Sequence, residues 1–455
     1  MNKFKLSYYS VITDIIDEGD IEKKRIIYST RTGKALLIKD ETYSNIFSNQ
    51  FEKLTNSEIY RLTEMLIIVP ENENELESIM LENSAFIEDR KVLYHVLQPG
   101  ANCQLGCHYC GQQHTKNFLP KELYTKVIDR IEKKLLSKGK NYKALTFTWY
   151  GAEPLMSIKQ IRELTPLLKE LAIKYNTLYS ADMITNGLSL KERIFEELVT
   201  DLDIRKFQIT IDGMQEDHDN RRYTKSGEKT FEIIMQNIIN AVNNPLYTEK
   251  KCQIGIRINI DYTNQDSVIP FLELLSSYDI LDKVTLQFAE IVDWGQNGAS
   301  KNSLSISDFA EKEIDWILKY IQLGGKSNDF IPERQYASCM VQEKDSEVFD
   351  AFGNIFPCYE LPYTPIYDNS VYLVGNLKNN ENTYKLDNPL RNWPELVKKG
   401  EVSYCSKCKF YPVCGGGCPK SWLEGNPSCP SFKFNIEDRL ILQHISNKAK
   451  ITELL

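Results

Sequence analysis

Ten of the eleven cysteines in this 455-residue chain fall into spaced groups, and that spacing constrains the fold more than any other feature. The stretch CQLGCHYC sets Cys103, Cys107 and Cys110 in a C-x3-C-x2-C pattern. A second group runs Cys339-x13-Gly353-x4-Cys358, then Cys405-x2-Cys408-x5-Cys414-x3-Cys418, then Cys429. Cys252 stands alone at the start of an apolar run and reads as a buried small hydrophobe. No stretch approaches the ~20 consecutive apolar residues of a membrane span. The opening MNKFKLSYYSVITDIID lacks the apolar run and small-residue cleavage site of a signal peptide. The chain is therefore expected in the cytoplasm and off the membrane. Disulfides are rare there, and clustered cysteines bind metal or do redox chemistry. A net charge of −8, with no basic stripe carrying interleaved aromatics, argues against a nucleic-acid partner.

Three thiolates within eight residues can hold one iron–sulfur cube, leaving one iron without a protein ligand. Zinc with a distant fourth ligand, or three buried thiols, are the competing readings. In the second group the C-x2-C start also suits zinc, although seven cysteines divide poorly into tetrahedral sites. The fourteen residues CSKCKFYPVCGGGC either hold one metal or serve two sites.

Around these groups the chain changes character three times. Residues 1–91 hold no cysteine; RIIYSTRTGKALLI reads as a hairpin, followed by helical ETYSNIFSNQF and SEIYRLTEMLI and the polar break PENENE. This small α+β unit is short of core unless it docks on the rest. Over 92–300, apolar runs alternate with helical segments: VLYHVL, ALTFTWY, SADMIT, KFQITID, QIGIRINI and KVTLQF are the strands. Six β-α repeats predict a parallel sheet curved as a partial barrel, with its site at the carboxyl ends of the strands. Residues 301–437 hold one amphipathic helix and then a cysteine-rich, loop-rich region, and 438–455 read as a closing helix.

At those strand ends the motifs resemble the radical S-adenosylmethionine (SAM) superfamily. Tyr109 is the aromatic before Cys110, and YGAEPL is similar to the family's Gly-Gly-Glu-Pro motif, with Ala at the second position. The resemblance implies a [4Fe–4S] cluster on Cys103, Cys107 and Cys110. It implies SAM contacts from Tyr109, Gly151, Ala152, Glu153, Thr185, Asn186, Arg222 and Asn259, with Arg222 facing the SAM carboxylate. The downstream spacing matches the seven-cysteine SPASM pattern in every interval. By that resemblance Cys405, Cys408, Cys414 and Cys429 hold an outer auxiliary [4Fe–4S] cluster, and Cys339, Cys358 and Cys418 an inner one. Together these make three clusters. No cysteine stands shortly before Cys339, so the inner cluster takes another ligand, for which Glu333 is a candidate, or keeps an open iron.

SPASM proteins modify peptides and proteins. The expected activity is maturation of a ribosomally made (RiPP) precursor peptide, giving a thioether, C–C or C–O cross-link. Its leader would be held by residues 1–91, and a flavodoxin- or ferredoxin-like donor would supply electrons. The alternatives are formylglycine formation, as in anaerobic sulfatase maturases, and a non-catalytic metal-bearing scaffold. Tyr359 stands where those maturases carry an Asp, which counts against the first. Acid–base candidates are Tyr359, Glu360, Asp293 and Glu290.

Overall fold

The structure, a computed structural model, describes residues 3–453 apart from 17–18, 20–21, 138, 326–329 and 386. The amino-terminal unit opens with β1 (Phe4–Leu6), β2 (Ser10–Ile12), β3 (Lys24–Ser29), β4 (Lys34–Lys39) and β5 (Ile68–Pro70). β2, β3 and β4 form an antiparallel sheet in that order, and β1 pairs with β5. The hairpin turns where Gly33 has φ +68°. A Thr55 capping box starts the helix Asn56–Glu64. A further helix, Glu75–Glu88, lies beyond the polar break where the sequence signalled none; Asn74 caps it by accepting from the Glu77 amide. The unit completes its core by docking. Tyr28 Oη donates to Pro332 O at 2.5 Å, Thr30 Oγ1 to Lys409 O at 2.6 Å, and Arg334 Nη2 to Asn83 Oδ1 at 2.5 Å.

Six parallel strands form the centre: β6 (Val92–Leu97), β7 (Ala144–Trp149), β8 (Leu178–Thr185), β9 (Ile204–Thr210), β10 (Gln253–Ile260) and β11 (Val284–Glu290). They pair in sequence order, each following a helical crossover, which is the predicted partial (β/α)6 barrel. Period-two alternation sets the layers. Leu145, Phe147 and Trp149 of β7, and Ile254, Ile256, Ile258 and Ile260 of β10, are buried with the surrounding helices. At ~25 cal/mol per Å2 of apolar surface removed from water, this layer supplies most of the fold's drive.

The cysteine-rich region does more than follow the barrel. It extends the same sheet with β12 (Glu347–Phe349), β13 (Asn354–Phe356) and β14 (Gly375–Asn376), β12 running parallel beside β6. Arg130, on the helix Tyr124–Leu135, clamps Glu347 of β12 with two hydrogen bonds of 2.9 and 2.6 Å. His95 of β6 lies wholly buried against Glu347; burial pulls its pKa down to about 4, so it is neutral and structural. The closing helix begins at Phe432, earlier than the expected 438, and bends at Asn435, whose Nδ2 donates to Ala310 O and Glu313 Oε2.

Candidate active site at the carboxyl ends of the barrel strands

Cys103, Cys107 and Cys110 sit on the loop that follows β6. Gly106 N donates to Tyr223 O, His108 N to Arg221 O and Cys110 N to Cys107 O, which fastens the loop to the Arg221–Tyr223 segment. Two donors reach the Cys103 sulfur, the Leu105 amide at 3.4 Å and Asn186 Nδ2 at 3.8 Å. All three cysteines line a cavity of about 570 Å3, within the range of small-molecule sites.

The predicted SAM-contacting residues divide into two sets. Tyr109, Ala152, Thr185, Asn186, Arg222 and Asn259 line the cavity. Glu153 stands behind it, wholly buried. Its carboxylate accepts from Thr185 Oγ1 at 2.6 Å, Asn186 N at 2.8 Å and Leu155 N at 3.0 Å. Burial raises its pKa and these bonds oppose the rise. The chain's own donors take three of the carboxylate's roughly four acceptor positions, and Glu153 thereby ties the ends of β7 and β8 together. Gly151 (φ +82°) also lies behind the wall, where a Cβ would meet Gln98 Oε1 at 2.2 Å. Ala152 is held left-handed at φ +49°, its amide donating to Gln112 Oε1 at 2.8 Å. The Ala in this motif therefore carries the strain its glycine counterpart would avoid.

A buried ionic network, absent from the sequence reading, underpins Tyr109. Tyr109 Oη donates to Asp212 Oδ2 at 2.7 Å and accepts from Asn259 Nδ2 at 3.1 Å and from Arg222 Nη1. Arg221 reaches Asp212 at 3.4 Å and Asp261 at 2.7 Å. IDG and RINID carry these two aspartates, but nothing in their spacing shows that one arginine joins them. Arg222 Nε has no partner and is buried. Burial works against its charge, and Cys107, Tyr109 and Asp212 beside it more than offset that.

Cys339, Cys358 and Cys418 border the same cavity from the cysteine-rich side. Electrostatically, Cys358 feels Cys339 and Cys418, whereas Cys414 feels Cys405 and Cys408, and Cys405 feels Cys408 and Cys429. The chain crosses between these groups at Gly415, Gly416 and Gly417, all left-handed at φ +65°, +95° and +71°. A Cβ on Gly415 would stand 2.6 Å from Ser338 N, and one on Gly417 2.2 Å from Ser428 O. Burial pushes the thiols of Cys103 and Cys414 up to about 12 and those of Cys107, Cys339 and Cys405 to about 11. A bound cation is what makes such thiols into thiolates.

Among the described residues, no three His, Cys, Asp or Glu converge as a site for a single metal ion. A cube with one thiolate per iron asks for thiols that face a common volume, and three cysteines on one short loop fit that donor set. The cavity-lining Arg222, with its unpartnered Nε, fits an anionic group such as the SAM carboxylate. Glu333 does not line the cavity; its backbone lies against Gly33.

Of the acid–base candidates, Tyr359, Glu360 and Glu290 line the cavity. Burial raises Glu360, and Tyr150 Oη donates to it at 3.3 Å. Burial, aided by Glu313, raises Glu290 to about 7. Asp293 instead accepts from Asn297 N at 2.8 Å, Gly298 N at 3.1 Å and Ser300 Oγ at 3.3 Å, so it braces a loop. That loop carries Trp294 to the cavity wall, over the Lys420 ammonium at 4.4 Å.

Residues 97–254 match the family model described as the radical SAM superfamily. A serine-type anaerobic sulfatase-maturating enzyme of Bacteroides thetaiotaomicron is 22% identical over 368 residues, covering 73% of this chain and 83% of its own. A cysteine-type anaerobic sulfatase-maturating enzyme of Clostridium novyi is 24% identical over 399 residues, covering 77% and 96%. The fold is shared with the solved structure described as native anSMEcpe with bound AdoMet and Cp18Cys peptide. The TM-score is 0.55 at 16% identity, over 80% of this chain and 100% of that one. A radical SAM domain therefore lies at the centre of the chain, with the seven-cysteine region behind it.

Proposed function

We propose that this enzyme modifies a ribosomally made precursor peptide, leading to a cross-link. The observation that carries the reading is the single cavity shared by Cys103, Cys107 and Cys110 on one side and Cys339, Cys358 and Cys418 on the other. In this reading the first three thiols hold the SAM-binding [4Fe–4S] cluster and the other two groups hold two auxiliary clusters. When bound and reduced, the first cluster and SAM supply a radical able to take a hydrogen atom from carbon. The chain's own residues bind and orient. Arg222 offers a cation to a carboxylate, Tyr109 and Asp212 hold the cluster loop, and Trp294 walls the cavity from water. Glu290, Glu360 and Tyr359 are the groups placed to hold or accept a proton.

A peptide substrate is supported by the amino-terminal unit. β4 pairs only with β3 among the described residues, leaving an edge on which an extended leader can add as a strand. Lys34 begins that edge and suits an acidic leader. An external flavodoxin- or ferredoxin-like donor would supply the electron.

The curated relatives support a second reading equally, oxidation of a sulfatase Cys or Ser to formylglycine. One experiment separates them. The enzyme, reconstituted anaerobically to about twelve irons, is given SAM, reductant and either the peptide of a flanking short reading frame or a sulfatase-derived peptide. A flanking peptide that loses two hydrogens, with its thiol blocked to alkylation, supports the cross-link. Aldehyde formation on the sulfatase peptide alone would replace it with the second reading.

A further inference from the structure

Barrels of alternating strands and helices ordinarily fill their interior with branched apolar side chains. This one is hollow and polar. The outward residues of β10 are four buried isoleucines, while its inward residues are Gln253, Gly255, Arg257 and Asn259. The neighbouring strands add Asp182, Lys206, Gln208 and Thr285. Among these lies a second cavity of about 300 Å3. It continues the larger one, since Tyr150, Ile184, Gln208 and Tyr359 line both. Lys206, Gln253 and Thr285 are exposed, so it reaches solvent at the amino ends of the strands.

The walls have contrasting chemistry. One is aromatic, formed by Tyr94, Tyr150 and Tyr359, the last two edge to face at 5.5 Å. The opposite wall is polar and pairs one acid with one base, Asp182 of β8 standing in register with Lys206 of β9. Gly255 makes the room. A Cβ there would stand 3.2 Å from Thr285 Oγ1, and its φ lies outside the left-handed range, so space and not backbone conformation is what the glycine provides. A charged substrate group would find no uncompensated opposite charge here, and an aliphatic one would leave the amides of Gln208 and Gln253 unmatched. A carboxamide meets both walls: it donates and accepts with Gln208, Gln253 and Thr285, and its flat face lies on the tyrosine rings.

We propose that this cavity is a substrate subsite that takes an Asn or Gln side chain of the peptide, close to the residue being modified. The inference rests on the peptide reading above. Gln253 and Gly255 are then specificity-determining residues outside the SAM-binding machinery.

The test is selection of a random twelve-residue, mRNA-displayed peptide library on the reconstituted full-length enzyme with SAM bound. Wild type should enrich Asn or Gln at one position by up to about tenfold, the size of one good hydrogen-bonded contact. Gly255→Leu, which fills the cavity, should lose that enrichment while cleaving SAM without peptide at a rate within about twofold of wild type. The exposed Gln253→Leu should weaken the enrichment with no demand on packing, so the test stands even where Gly255→Leu fails to fold. Retained peptides with no carboxamide preference, or a preference unchanged in Gln253→Leu, overturn the subsite alone. No retained peptide in wild type overturns the subsite; where the flanking-frame peptide with its leader is not bound either, the peptide reading falls with it, and absent SAM cleavage would tell against the radical chemistry itself.

Discussion

Around Cys103, Cys107 and Cys110 the chain supplies its own framework: a buried Asp212–Arg221–Asp261 network, the Glu153 carboxylate with its three hydrogen bonds, and strands packed under helices. Around Cys405, Cys408, Cys414 and Cys429 it supplies no such network, and the packing of Trp393, Tyr411 and Trp422 takes its place. There the backbone runs through short helical turns and three successive left-handed glycines, and contacts to sulfur include Tyr404 Oη on Cys429 at 3.2 Å and Gly416 N on Cys414 at 3.3 Å. The difference is between a loop fastened by a buried polar network and a glycine-rich turn fastened by packing; on the proposed cluster assignment, the second is the one expected to depend more on its metal.

Removing iron should test that contrast hardest. Anaerobic chelation is expected to open residues 339–430 to limited proteolysis while the barrel segment stays resistant; equal resistance in both regions would end the contrast. Next comes the barrel's own framework. Arg221→Leu leaves Asp261 without its ion-pair partner and should cost about 3–5 kcal/mol in denaturant unfolding, whereas a loss under 1 kcal/mol would mean that the network contributes little.

A third test uses pH. Burial lifts Glu290 from its ordinary 4.5 to about 7, so the folded enzyme binds its proton more tightly than the unfolded chain does. The stability this contributes is full below about pH 4.5 and is lost as pH rises through about 7. Melting curves of Glu290→Gln should accordingly fall less over that interval than those of wild type, and parallel curves would remove Glu290 from the account.

Smaller effects sharpen the comparison. Gly417→Ala should cost about 1–2 kcal/mol from its left-handed backbone, and more where the backbone at Ser428 cannot shift away from the added Cβ. Ala152→Gly should relieve about 1 kcal/mol of backbone strain against about 0.5–1 kcal/mol of added freedom in the unfolded chain. Its net shift in melting should be the least of the series, and a large loss would mean that the Ala152 methyl packs against something essential.

The barrel was legible because its strands alternate and its helices carry apolar stripes, signals that accumulate over six to seventeen residues. The grouping of thiols was legible because spacing in the sequence becomes proximity when ligands lie on one loop. Other features left no local trace. β12 is three residues long, and what recruits it is Arg130 more than two hundred residues earlier. Arg221, adjacent to the motif arginine Arg222, differs from it only in which aspartates the fold brings near. Asp293 looked available for chemistry until the turn it braces closed around it. The hydrophilic lining of the barrel was written in QIGIRINI as alternation, but alternation alone does not tell a hollow interior from a solvated face.

The pairing of β12 with β6 also has a consequence during synthesis. His95 and Glu347 are 252 residues apart, a gap that a ribosome adding 5–20 residues per second crosses in about 13–50 s. Throughout that interval one edge of the first barrel strand has no neighbour, and its Val96 and Leu97 belong to the finished core. An unprotected strand edge is a template for other chains. The nascent protein therefore passes through a state in which the six barrel strands are all made but the β6 edge is still bare, and the strand that covers it comes from beyond the barrel.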